Sequence, residues 1–136
     1  MIFDTKIAIL VQSDLQMWQK LNVTAFLASG IAGAVPNGIG EPYVDALGRE
    51  HARLFSQPVV VFSASLEILK RAWQQSLQRD LTRAAYVRAM FATGHDVANR
   101  EVFRAENAYT PDLVGLALHG PKKDIDKAIK GAQLHP

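Results

Sequence analysis

The sequence predicts an α/β fold in which a four-stranded mixed sheet is covered by helices on both faces, a three-layer sandwich. Three observations predict it. Short unbroken apolar runs recur at 7–11, 59–62 and 113–118, the pattern of strands buried on both faces. Segments with helical spacing of apolar residues separate them, and such alternation argues for a covered sheet with parallel pairs. Residues that cap helices or break the chain, among them Ser65, Pro36 and Gly120, fall at the boundaries.

The first strand is expected at 6–11, ended by Ser13 and Asp14, either of which can cap the helix that follows. That helix is expected over 15–34. Trp18, Leu21, Ala25, Ala28 and Ala32 fall on one stripe that would face the core. Its small residues, Ala28 to Ala34, would let another backbone approach closely. Pro36, Asn37, Gly38 and Gly40 then turn the chain. Residues 43–55 fit either a helical face or a small hairpin with its turn near Gly48, and extended structure is the reading preferred here.

The second core strand, 59–62, follows Pro58, which suits a strand start. Ser65 caps a helix with Leu66, Leu69, Trp73 and Leu77 inward and a Glu67–Arg71 pair outward. A third strand is expected over 85–91, then a helix over 97–106 capped by Asp96. The fourth strand is 113–118. Gly120 and Pro121 open a last helix with Ile125 and Ile129 inward, an Asp126–Lys130 pair outward and Gly131 as its stop.

A length of 136 residues suits one domain, so residues 1–136 are expected to form a single unit. With no cysteine, disulfides, thiol catalysis and thiolate metal sites are excluded. The segment at 1–11 lacks the pattern of a signal peptide, and no stretch suits a membrane span, so a cytoplasmic protein without membrane partners is expected. The net charge is +2 and the isoelectric point about 9.0. This permits RNA contact, yet the fifteen basic residues are interleaved with thirteen acidic ones. His51, His119 and His135 show no paired spacing for zinc, and no nucleotide or hydrolase fingerprint occurs, so neither metal nor cofactor is expected.

Two ends of the chain resemble the archaeal-type peptidyl-tRNA hydrolases (peptidyl-tRNA hydrolase 2). They are Asp14-Leu15-Gln16-Met17 leading to Lys20, and Leu113 through Pro121 followed by Asp124-Ile125-Asp126-Lys127. Three stretches are similar to a bacterial uncharacterised family, domain of unknown function 2000, which is grouped with that fold: Gln19 through Leu27, Met90 through Gly94 with Asn99-Arg100, and Lys127 through Pro136. The resemblance implies a four-stranded mixed sheet between helices. It also implies chemistry at a lysine-bearing start of the first helix and in an aspartate-containing loop after the third strand. Here Lys20 alone stands for the lysines and Ala92 replaces the aspartate, so the inherited mechanism loses its proton acceptor.

The same topology would bring Ser13, Lys20 and Asn22 towards Thr93, His95, Asp96, Asn99 and Arg100. Helix starts and two cations would suit a small anionic ligand or an RNA end, and His95 could exchange a proton near neutral pH. Each residue also has a plainer role: Asp96 as a cap supported by Asn99, Lys20 and Arg100 as solvated helix charges, His95 as a loop residue. Asn22 sits among apolar residues, where an unpaired amide costs about 1–3 kcal/mol, so it should have a specific partner. Trp18 and Trp73 are expected in the core. Three functions follow as expectations: a binding protein for an anion or RNA end, an esterase with a rebuilt site, or a homodimeric module that packs through the small-residue face of the first helix.

Overall fold

The computed structural model describes residues 2–136. Its centre is a five-stranded mixed sheet. In chain order the strands are β1 (Thr5–Gln12), β4 (Val59–Ala64), β5 (Thr82–Val87), β6 (Leu113–Pro121) and β7 (Gln133–Leu134), lying side by side as β5-β6-β1-β4-β7. Along the chain β1 and β4 are separated by an antiparallel hairpin that forms its own two-stranded sheet, β2 (Ile39–Val44) and β3 (Glu50–Phe55). Among the described residues β1 and β4 alone pair in parallel; β6 runs against both β1 and β5.

Helix α1 (Met17–Ala34) covers one face, while α2 (Leu66–Gln78) and α4 (Lys122–Ala128) cover the other. A fourth helix, α3 (Asp96–Arg104), follows a 3₁₀ turn at Arg88–Ala92. The strand period of two divides the central strands between the layers. Ile7, Ile9 and Val11 of β1 pack towards α1, and Ala8 and Leu10 pack towards α2 and α4. This is why their sequences are unbroken apolar runs.

Several elements differ from the sequence expectation. The sheet has five strands rather than four, because after Gly131, at a positive φ of 94°, the chain folds back and lays Gln133 and Leu134 along β4. Two hydrogen-bonded residues carry no periodicity and leave no sequence signal. In α1 the buried stripe is Val23, Leu27 and Ile31, whereas Trp18 and Leu21 are 57% and 64% exposed. The second half of α1 is apolar on nearly every side, so periodicity could not choose its face. Gly115 on β6 chose it, by leaving room for Val23 and Leu27. Nor is the small-residue run free to receive a partner throughout, since a Cβ on Gly30 would come within 2.8 Å of Ala84 Cβ on the chain's own β5.

The caps of α1 and α3 also differ. Helix α1 starts at Met17 after Gln16, whose N–H donates to Gln19 Oε1 at 3.0 Å, while the Ser13 N–H donates to the Ala64 carbonyl. In α3 the cap is His95, whose Nδ1 accepts from the Ala98 N–H at 3.2 Å; Asp96 is the first helical residue. Ser65 caps α2 as expected, accepting from the Ile68 N–H. There Ala72 and Ser76 rather than Leu77 lie against the sheet, since small residues permit close approach and Ser76 satisfies its own hydroxyl on the Trp73 carbonyl. The third strand ends at Val87, not 91. Val87 pairs with Leu113 beyond an irregularity in β6, and the Arg88 N–H is drawn to the Asp112 carbonyl. Asp126 reaches across to Lys6 at 2.8 Å instead of along its helix to Lys130.

Residues 43–55 adopt the extended alternative. Asp45 organises the turn, accepting from the Leu47 and Arg49 N–H groups and from the Arg49 side chain, with His51 Nε2 3.0 Å from its second oxygen. Gly48 takes the positive φ of 81°. These donors, His51 first, hold the Asp45 carboxyl down to about 2 from an ordinary 3.8. A depressed folded pKa means that the turn's electrostatic support is complete above pH 3.8 and is lost as pH falls through about 2. Titration of the Asp45 carboxyl carbon by NMR should therefore give a midpoint near 2, accompanied by loss of the Leu47 and Arg49 amide protection. A midpoint at 3.8 or above would show that the turn does not hold the carboxylate.

Candidate functional site

Where α1 passes the connection from β5 to α3, a cleft of about 240 Å³ opens. Helix α1 contributes Trp18, Asn22 and Phe26, spaced four apart and therefore stacked along one side of the helix. Tyr86, next to the last residue of β5, forms its floor, and Met90 and Phe91 come from the 3₁₀ turn. Thr93, Gly94 and the start of α3 complete the rim with His95, Asp96 and Asn99.

Its apolar part is a continuous aromatic path. The Trp18 ring meets Phe91 edge-on with centroids 5.9 Å apart, Phe91 leans on Tyr86 at 5.3 Å, and Tyr86 meets Phe26 at 6.0 Å. The inner member, Tyr86, is only 4% exposed, but Trp18 and Phe26 are 57% and 51% exposed. Large aromatic rings left open to solvent on the walls of one cleft are the usual equipment of a binding site.

The polar groups are few. Asn22 Nδ2 donates to the Tyr86 hydroxyl at 3.4 Å, so the amide has the specific partner its apolar setting demanded. Burial pushes the Tyr86 phenol above its ordinary value of 10, only partly offset by Asn22, so it is protonated at neutral pH. The Thr93 hydroxyl bonds to the Met90 carbonyl at 2.9 Å and to the Asn99 amide, tying the 3₁₀ turn to α3. Because His95 Nδ1 accepts from a backbone N–H, the neutral imidazole carries its proton on Nε2.

Of the eight residues expected at a site, Asn22, Thr93, His95, Asp96 and Asn99 line this cleft, whereas Ser13, Lys20 and Arg100 do not. Arg100 instead pairs with Asp96 at 2.7 Å in an exposed contact one turn along α3, and the pair holds the Arg100 guanidinium still more firmly protonated. Among the described residues no lysine or arginine lines the cleft, and the Asp96 carboxylate does. Sequence reasoning missed the aromatic members Trp18, Phe26, Tyr86 and Phe91. The fourfold spacing of Trp18, Asn22 and Phe26 was the available signal, but it reads equally well as a core stripe. Among the described residues no three His, Asp or Glu side chains gather as a metal-ligand set.

Behind the cleft, Arg88 holds the 3₁₀ turn in place. It donates from Nη2 to Oε1 of the buried Gln12 at 2.6 Å and lies 3.5 Å from the Asp112 carboxylate, joining the ends of β1 and β6 to the segment that carries Met90 and Phe91.

Comparison with known proteins gives a family and a neighbour. The model of a family described as protein of unknown function (DUF2000) matches residues 5–136. A solved structure from Agrobacterium tumefaciens strain C58, itself described as a protein of unknown function, is similar over 99% of this chain and 100% of its own. The two are 50% identical, with a TM-score of 0.95. No curated protein matches the chain. Among the described residues no helix is long and apolar enough to cross a membrane.

Proposed function

The chain belongs to the DUF2000 family of proteins of unknown function, and from that premise we propose that it is a small-ligand-binding protein on a peptidyl-tRNA hydrolase 2-like fold, taking a flat uncharged ring into the α1–α3 cleft. The fold reading rests on the four long strands β5-β6-β1-β4, mixed in direction and covered on both faces, with the two-residue β7 as an edge addition. The observation that carries the ligand reading is the aromatic path from Trp18 to Phe26, open at both ends around Asn22.

Binding fits better than turnover. Ala92 stands where the resemblance implies a proton acceptor, the Thr93 hydroxyl is engaged by Met90 and Asn99, and His95 Nδ1 is spent as a helix cap. A ring fits better than an anion, because Lys20 and Arg100 lie off the cleft while Asp96 lies on it. An RNA end would enter by its terminal base rather than its phosphate.

The test is NMR titration with isoquinoline, a flat bicyclic ring, and in parallel with inorganic phosphate. Isoquinoline should shift the resonances of Trp18, Phe91, Thr93 and Asn99, and Trp18→Ala should weaken it by at least about fivefold, the low end for loss of one stacking partner. Phosphate should leave these resonances unmoved. Shifts at Lys20 and Arg100 with phosphate, and none with the ring, would replace this reading by the anion-binding one.

A further inference from the structure

The floor of the cleft carries a hydrogen-bonding pair whose capacity is only partly used. Asn22 and Tyr86 meet each other once, at 3.4 Å. That contact uses one donor and one acceptor, whereas the two groups together hold three protons, one amide oxygen and one phenolic oxygen. With Nδ2 donating, the Tyr86 O–H proton has no acceptor among the described residues, and the Asn22 carbonyl oxygen has no donor. Were the amide turned over, the phenol would donate to the amide oxygen, and the pair would instead leave an amide N–H free beside the phenolic oxygen's lone pairs. Either way one donor and one acceptor stand side by side on the cleft floor. Tyr86 is 4% exposed, Asn22 is half-buried, and both line the cleft, so the pair's remaining donor and acceptor are within reach of whatever fills it.

Resting on the ring-binding reading above, we infer that the ligand is a neutral heteroaromatic lactam, a flat ring bearing adjacent N–H and C=O groups, which the Asn22–Tyr86 pair recognises edge-on while Trp18 and Phe26 flank its faces. The chemistry matches term by term. A lactam edge offers one donor and one acceptor next to each other, the complement of what the pair leaves open. It is planar, as the aromatic walls require. It is uncharged, so the lack of a lining cation and the presence of Asp96 cost it little. A carboxylate offers two acceptors and no donor, and a purely hydrocarbon ring would cover the pair without bonding to it. Leaving such groups unpaired is what makes a polar site discriminate strongly.

Three probes of nearly equal shape separate the possibilities: 1(2H)-isoquinolinone, its N-methyl derivative, which lacks the donor, and isoquinoline, which lacks the lactam edge. Binding is followed by the Trp18 indole resonance and the Asn22 side-chain amide. The lactam should bind at least about tenfold more tightly than either relative, one hydrogen bond lost where the bound ring displaces water being worth about that factor. Asn22→Leu should bring the three affinities together without abolishing binding, since the aromatic walls persist. The comparison on the unaltered protein needs no variant, so a folding defect in Asn22→Leu cannot obscure it. Equal affinity for all three probes would overturn the lactam inference and leave the ring-binding reading standing. Discrimination that survives Asn22→Leu would overturn the role of the pair. Absence of any shift at Trp18 with all three would overturn both readings.

Discussion

Leu116→Ala is expected to destabilise the protein by about 2–5 kcal/mol, the range for removing a fully buried leucine and leaving a cavity. Leu116 has no exposed surface and sits opposite Leu10 in the β1–β6 pair, facing the layer formed by α2 and α4. Its neighbours Leu69, Leu118 and Ile125 are themselves completely buried, so little can move in to fill the space. Urea unfolding followed by circular dichroism measures the change. A loss below about 1 kcal/mol would mean that the layer collapses around the gap, at variance with the close packing of interiors.

Gly115→Ala, one residue earlier, is expected to destabilise by about 1–3 kcal/mol for the opposite reason, overpacking. The strand period turns position 115 towards α1, and an added Cβ would lie 2.4 Å from Val23 Cγ1, 2.9 Å from Leu27 Cδ1 and 3.4 Å from the Leu10 carbonyl. Both side chains are the ends of short branched groups, but Val23 is 0% and Leu27 2% exposed, so neither has solvent to retreat into. The helix must shift, and because Trp18, Asn22 and Phe26 ride on it, the ring-binding cleft should loosen as well. The variant should therefore show both a lower urea midpoint and weaker isoquinoline binding. Unchanged stability would sink the claim that Gly115 sets the seat of α1.

These adjacent positions separate what was legible from what was not. The leucine belongs to an apolar run whose meaning, a strand covered on both faces, is local and clear in the sequence. The glycine's meaning lies in Val23 and Leu27, about ninety residues away along the chain. The candidate site divides in the same way. Asn22 stands out in the sequence as a polar group in apolar surroundings, and the start of α3 stands out through its polar cluster at 93–100. The membership of Trp18 and Phe26 is hidden, because on a helix that is apolar all round an aromatic residue at fourfold spacing looks the same whether it faces sheet or solvent. Lys20 and Arg100 illustrate the converse error. Their charges suggested an anion site, but the direction in which a helical side chain points is fixed by the seat of the helix, and neither points into the cleft.

By itself the sequence determined the order of the four long sheet strands and of the helices between them, the identity of the central strands, the cap of α2 and the burial of Ile125 on α4. Each of these depends on residues within a turn or two of one another: runs, spacings and side chains able to reach neighbouring N–H groups. Only the tertiary structure decided which side of α1 is buried, that His95 rather than Asp96 caps α3, that β7 joins the sheet edge, and that four aromatic rings gather around Asn22. Those outcomes depend on the space left by distant residues, chiefly the missing side chain at Gly115, and no local pattern encodes the volume of a gap on the far side of a core.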